Sequence, residues 1–173
     1  MASADERPLT EWAVLALVAE GRTHGFEVAR VLAPDGDVGR VWTVRRPLVY
    51  RALDTLARDG LVVEVGTEGG RGPSRRMVEA TAEGRRAARR WLDTPVAHVR
   101  DIRTAFLVKL ALLARTGRSR ARLVERQRRA LAPTLAALRT GRSMAQADGE
   151  FDEVLLAWRR ASAEAVDEFL RTL

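Results

Sequence analysis

Residues 44–60, VRRPLVYRALDTLARDG, run straight into the apolar Leu61-Val62-Val63, and this stretch constrains the 173-residue chain more than any other. Proline suits the first helical turn, where its missing N–H has no intrahelical partner, and glycine suits the left-handed position past the last turn. Pro47 and Gly60 therefore punctuate one short helix. Inside it Val49, Ala52, Leu53 and Leu56 recur at the i, i+3, i+4, i+7 spacing of a buried stripe, while Pro47, Arg51, Asp54 and Arg58 fall on the other side. Arg45 and Arg46 precede the helix, and Tyr50, Arg51 and Thr55 lie along it. These are the side chains of a helix that docks by its N-terminus into a DNA major groove. An ordinary amphipathic helix with a solvated face has the same pattern, so the flanking sequence decides.

Upstream, LTEWAVLALVAE (residues 9–20) is largely apolar, begins with Thr10 as an N-cap and stops at Gly21. Thr23 is placed to cap a second short helix, residues 24–33, with Phe26, Val28 or Ala29, Val31 and Leu32 on its core side and Pro34 ending it. Asp35-Gly36-Asp37 turns the chain, and the β-branched and aromatic Val41-Trp42-Thr43-Val44 predicts a brief strand. Downstream, LVVEVG and SRRMVEAT flank a glycine-rich tip at residues 67–73, the pattern of a hairpin. Arg71, Arg75 and Arg76 sit on or beside that tip, where guanidinium groups grip phosphates or enter a minor groove. The order helix, helix, strand, helix, strand, basic hairpin is a winged helix-turn-helix, with 44–60 as recognition helix and 66–76 as wing.

Charge supports this placement. Residues 40–90 hold twelve arginines against six acids, whereas residues 1–39 hold three against seven, so the positive charge begins near the candidate helix. A second basic stretch, residues 100–142, is read as the solvated outer face of two helices. The chain has no cysteine, hence no disulfide framework and no thiolate metal site, and nothing at its start resembles a secretory signal. Its longest apolar run, residues 105–114, is too short and too polar to span a bilayer, so a cytoplasmic protein is expected.

Thr81 is expected to cap a helix over residues 82–92 that carries Arg85, Arg86, Arg89 and Arg90 and is ended by Pro95. Three helical segments follow, at 98–115, 119–140 and 150–171. Their seams read Val99, Ile102, Phe106, Leu110, Leu113; then Val124, Leu131, Leu135, Leu138; then Phe151, Val154 or Leu155, Trp158, Ala165, Phe169. Seams this apolar need cover, and a second copy supplies it, since a two-fold dimer matches two operator half-sites. Phe106, Leu110, Leu113, Leu155, Trp158 and Phe169 are the expected dimer contacts. A compact monomeric bundle is the other solution. The expectation is a mainly α chain with a small β-hairpin: a DNA-binding domain at 1–94 and a three-helix dimerisation domain at 95–173.

The ordered set of motifs resembles the PadR family of bacterial transcriptional regulators, in the subgroup with a long helical C-terminal region. The matching pieces are LTEWAVLALVAEG, THGFEVARVL, VYRALDTLARDGLV, RGPSRRMVEATAEGRR and DIRTAFLVKLALL, which together cover nearly the whole chain. It departs in one respect: Arg45-Arg46-Pro47 occupies the stretch where the family has a Ser-Pro-like cap four or five residues before the tyrosine. The resemblance implies a homodimeric regulator, here expected to be a repressor, bound to double-stranded DNA and released by a small aromatic or apolar effector. That effector is expected near the junction of the two parts, at Trp91 and Phe106.

Other chemistry finds no constellation. His24 and His98 have no carboxylates at metal-site spacing, so no metal is expected. The stretch Gly69-Gly70-Arg71-Gly72 lacks the Gly-Lys-Ser/Thr ending of a phosphate loop. The acidic groups at 152–153 and 164–168 have no nucleophile beside them, so neither an enzyme nor a cofactor is expected. Two rivals stay open: a winged-helix module whose basic face docks an acidic partner protein, and a regulator of MarR type. The latter usually has dimerising helices at both termini, whereas here the extra helix is C-terminal.

Overall fold

A computed structural model of the chain describes residues 7–69, 74–139 and 149–173. These form two compact units, one of residues 1–93 with 107–119 and one of residues 94–106 with 120–173. That division differs from a single cut after residue 94.

In the first unit, helix α1 (Leu9–Val18) is buried at every position from Trp12 to Val18, as a helix apolar on all sides must be. Strand β1 is only Thr23–His24, and helix α2 (Gly25–Val31) follows. The expected cap at Thr23 moves by one residue: Nδ1 of His24 accepts the Glu27 N–H at 3.0 Å. Thr23 is instead extended, paired with Val78 of the hairpin. The strand expected at 41–44 does not form, because its backbone is spent in a turn. The N–H groups of Val41 and Trp42 both reach the Val38 carbonyl, at 2.9 and 3.1 Å, and the Thr43 hydroxyl donates to Gly39 O at 2.8 Å.

Helix α3 (Arg46–Arg58) has Pro47 in its first turn and buries Val49, Ala52, Leu53 and Leu56, the stripe read from the sequence. Full burial of each large aliphatic chain is worth about 1.5–3 kcal/mol, so this face anchors the helix and leaves the other open. Gly60 ends it at φ 69°, in the left-handed region. Strands β2 (Val62–Glu68) and β3 (Arg75–Ala80) make the hairpin, and β1 completes an antiparallel sheet of order β1-β3-β2. A register shift between Glu64 and Gly66 inserts Val65 as an extra residue and bends the wing.

Thr81 caps helix α4 (Ala82–Asp93) as expected, its hydroxyl accepting the Gly84 N–H at 3.0 Å. Helix α5 (Leu107–Arg115) also belongs here, packed on α1. Arg115 holds it in place, with Nε and a terminal nitrogen 3.3 and 3.2 Å from the Glu20 carboxylate and another nitrogen on Asp37. Leu110 and Leu113, expected at a dimer contact, thus lie on a helix of this unit, and Leu113 is buried.

In the second unit a short 3-10 turn, Val99–Asp101, and a π-helical turn, Ile102–Phe106, precede helix α6 (Ala121–Arg139) and helix α7 (Glu150–Thr172). The two long helices pack as a pair. Leu123, Leu131, Leu135 and Leu138 of α6 are buried, as are Leu156, Ala163 and Leu170 of α7, spaced by sevens. Gln127, fully enclosed, accepts the Val96 N–H through Oε1 at 2.7 Å and donates from Nε2 to the Val96 carbonyl at 2.9 Å. A buried carboxamide with a backbone donor and acceptor both matched carries little desolvation penalty and fixes the chain just after Pro95.

Candidate nucleic-acid interface

The start of α3, the turn from β1 into α2 and the root of the wing converge on a recess of about 430 Å3. Its floor depends on Gly25. A Cβ there would lie 2.7 Å from Cε1 of Tyr50 and 3.2 Å from a Leu53 methyl, so only glycine lets the tyrosine ring lie against α2. Phe26, half-exposed at the rim, has the Arg46 and Arg75 guanidinium carbons 5.1 and 5.3 Å from its ring centre. Arg46 also lies 5.7 Å from the Tyr50 ring. Cation–π contact of this kind orients a guanidinium without neutralising it.

The expected contact residues separate by what they are bound to. Arg45, Arg46, Arg51 and Arg75 have no carboxylate within ion-pair distance among the described residues. Arg45, Arg46 and Arg51 are exposed at the start and on the open face of α3. Arg76, by contrast, donates to Asp54 at 2.8 Å and stands 3.8 Å from Glu64. The Asp54 hydrogen bond is the largest cause of a further rise in the pKa of this guanidinium. The wing is thereby tied to α3. Thr55, half-buried, accepts from Arg58 at 2.9 Å, which uses one lone pair of the hydroxyl expected to face a base and leaves its proton to donate. Arg71 lies outside the described residues.

Two side chains at the recess went unnoticed as site candidates in the sequence, Phe26 and His24. Phe26, expected on the core side of α2, is instead exposed, because Val28, Ala29 and Val31 fill that side.

Elsewhere, the expected dimer and effector residues divide. Phe106 is fully buried, so it builds the interior of the chain. Leu155 and Phe169 are half-buried on α7. Trp158 is 70% exposed and, with Phe151 at 74% and Val154 at 60%, forms an open apolar stripe on the side of α7 away from Leu156 and Leu170. Trp91 is engaged already, stacked on Trp12 at 5.6 Å and covered by the Lys109 ammonium at 4.8 Å. Among the described residues no group of three or more His, Asp or Glu is placed to hold a metal ion, and no helix is long and apolar enough to cross a membrane.

A three-stranded wing packed on a helix-turn-helix, with unpaired arginines on the second helix and the wing root, defines the class: a winged helix-turn-helix protein. Residues 14–90 match the model of the transcriptional regulator PadR-like family, and over this segment the chain is similar to that family. Among solved structures, Bacillus subtilis PadR in complex with operator DNA aligns at a TM-score of 0.47 and 19% identity, over 94% of this chain and 96% of that one. The same protein alone and with p-coumaric acid gives 0.43 and 0.42, each at 17% identity over 95% of this chain and 92% of that one. Likeness at this level says nothing of the ligands of the present chain. No curated protein matches it significantly.

Proposed function

We propose that the chain is a homodimeric, sequence-specific DNA-binding repressor. The observation that carries the reading is that Arg45, Arg46, Arg51 and Arg75, gathered on α3 and the wing root, have no carboxylate within ion-pair distance among the described residues, whereas Arg76 beside them is paired. Unpaired guanidiniums on one module suit a polyanion. In this reading α3 enters the major groove, Arg46 and Arg51 reach base edges, and Arg75 takes a phosphate.

The dimer rests on α7. Its open stripe of Phe151, Val154 and Trp158 is supported as an interface by its apolar character and by the two-fold symmetry of operators. Residues 95–106 and 120–173 then form the dimerising part. Release by a small aromatic effector rests on the family alone. Entry beside Trp91 requires that ring to leave Trp12 or Lys109, a change visible in tryptophan fluorescence.

The test is binding to duplexes recovered from a genomic-fragment library, measured across a salt series. Affinity falling steeply with salt, and one duplex bound far above the rest, supports the proposal. Salt-insensitive or sequence-blind binding, with tight binding to an acidic protein instead, replaces it by the protein-interaction module.

A further inference from the structure

We infer that His24 and Arg75 form a seat for one phosphate of the DNA backbone, an inference that rests on the DNA-binding reading above. Nδ1 of His24 accepts the Glu27 N–H at 3.0 Å, so that nitrogen keeps its lone pair and the ring proton sits on Nε2. Nε2 lies 3.3 Å from a terminal nitrogen of Arg75. A guanidinium only donates, and a protonated Nε2 only donates. The two groups therefore approach as a pair of donors, neither able to accept from the other.

Two convergent donors are matched by one acceptor that reaches both, and a phosphate oxygen is such an acceptor with a charge that also suits Arg75. The surroundings are built to keep the donors there. Phe26 carries both the Arg75 and the Arg46 guanidinium against its ring, at 5.3 and 5.1 Å, and all of these line the same recess. The carboxylates of the neighbourhood are already used, Glu27 by Arg30 at 2.6 Å and Asp54 by Arg76 at 2.8 Å. Helix α2 thus presents its capping residue to the backbone of the duplex, while α3 reads bases beside it. A carboxylate of a partner protein has the same acceptor chemistry, but the other unpaired arginines extend along α3, as a duplex requires.

The experiment uses the whole chain and a duplex that it binds, with single phosphates replaced one at a time by neutral methylphosphonates. We expect one position per half-site where the replacement weakens the wild type about tenfold, the loss of a charge-assisted hydrogen bond. His24→Asn should bind the unmodified duplex about tenfold more weakly and lose its sensitivity at that position. Asparagine still caps the Glu27 N–H, so its melting temperature should equal the wild type's, which separates binding from folding. His24→Asn removes a donor and no guanidinium, so it should leave the salt dependence unchanged, whereas Arg75→Ala should reduce the slope by about one. Nitrogen-15 shifts of the free protein should place the His24 proton on Nε2. A proton on Nδ1, or H24N as sensitive to methylphosphonate as the wild type, overturns the seat. Binding of inorganic phosphate or a glutamate-rich peptide at the recess, with no methylphosphonate sensitivity, gives the seat to another anion and overturns it too. Failure of the wild type to bind any duplex sinks the DNA reading itself, and is seen before a variant is made.

Discussion

The Lys109 ammonium lies 4.8 Å from the centre of the Trp91 ring, and Trp91 in turn stacks on Trp12 at 5.6 Å with the two planes 5° apart. Lys109 is 3% exposed, and the ring gives its charge part of the stabilisation that water no longer supplies. One contact chain so joins α5, α4 and α1. We expect Lys109→Met, which keeps the stem and removes the charge, to destabilise by about 1 kcal/mol. Trp91→Ala should cost about 3 kcal/mol. Urea unfolding measures both, and equal effects from the two changes would mean that the ring contact is incidental.

The two wing-root arginines should behave differently. Arg75→Ala removes a free cation, but Arg76 is held by Asp54 and Glu64. Releasing Arg76 should therefore help binding: Asp54→Ala is expected to raise DNA affinity and steepen the salt slope by about one. Titrations at several salt concentrations decide this, and a fall in affinity in D54A would mean that positioning by Asp54 outweighs the charge.

Gly25→Ala places a Cβ 2.7 Å from the Tyr50 ring, which must move and take its contact with Arg46 with it. The expected cost is about 1–3 kcal/mol in stability, with a loss of affinity beyond that explained by unfolding. Thermal melting and duplex binding on one sample separate the two.

Base preference follows from what the chain lacks. It has no asparagine, and its two glutamines, Gln127 and Gln146, lie in the C-terminal half, so the winged helix has no carboxamide for adenine. The strongest discrimination should fall on a G·C pair facing Arg46 or Arg51, at about 1–3 kcal/mol per mismatch. A binding series over every single-base variant of a half-site tests it; a largest penalty at an A·T pair that tolerates no inversion would end arginine-led readout.

Trp158→Glu puts a charge into the open stripe of α7 and is expected to yield monomers by light scattering, with the melting of the chain itself little changed. A dimer that survives it places the interface elsewhere.

Helix α3 was legible from the sequence because everything that makes it is local: a proline, a glycine and a four-residue stripe. Thr81 was legible for the same reason. Thr23–His24 was not, since a two-residue strand exists only through β3, and the β-branched Val41 and Thr43 were misleading where turn bonds to Val38 and Gly39 take precedence. Periodicity finds apolar stripes but cannot rank them. Helix α7 has two, and the one facing α6 runs through Leu156, Ala163 and Leu170, not through Trp158. Arg75 and Arg76 read alike as letters, yet one meets aromatic rings and the other carboxylates.

The path of the chain gives α5 a further meaning. Polypeptide leaves the first unit after Asp93, returns at Leu107 and leaves again after Ser119, so three covalent crossings join the units where a modular protein has one tether. A fragment ending at residue 94 forfeits Lys109 from the tryptophan pair and Arg115 from Glu20 and Asp37. The turn that leads into α3 is thereby held by a residue far along the chain. Grafting this winged helix onto another body, or cleaving it free with a protease, takes away part of its own scaffold.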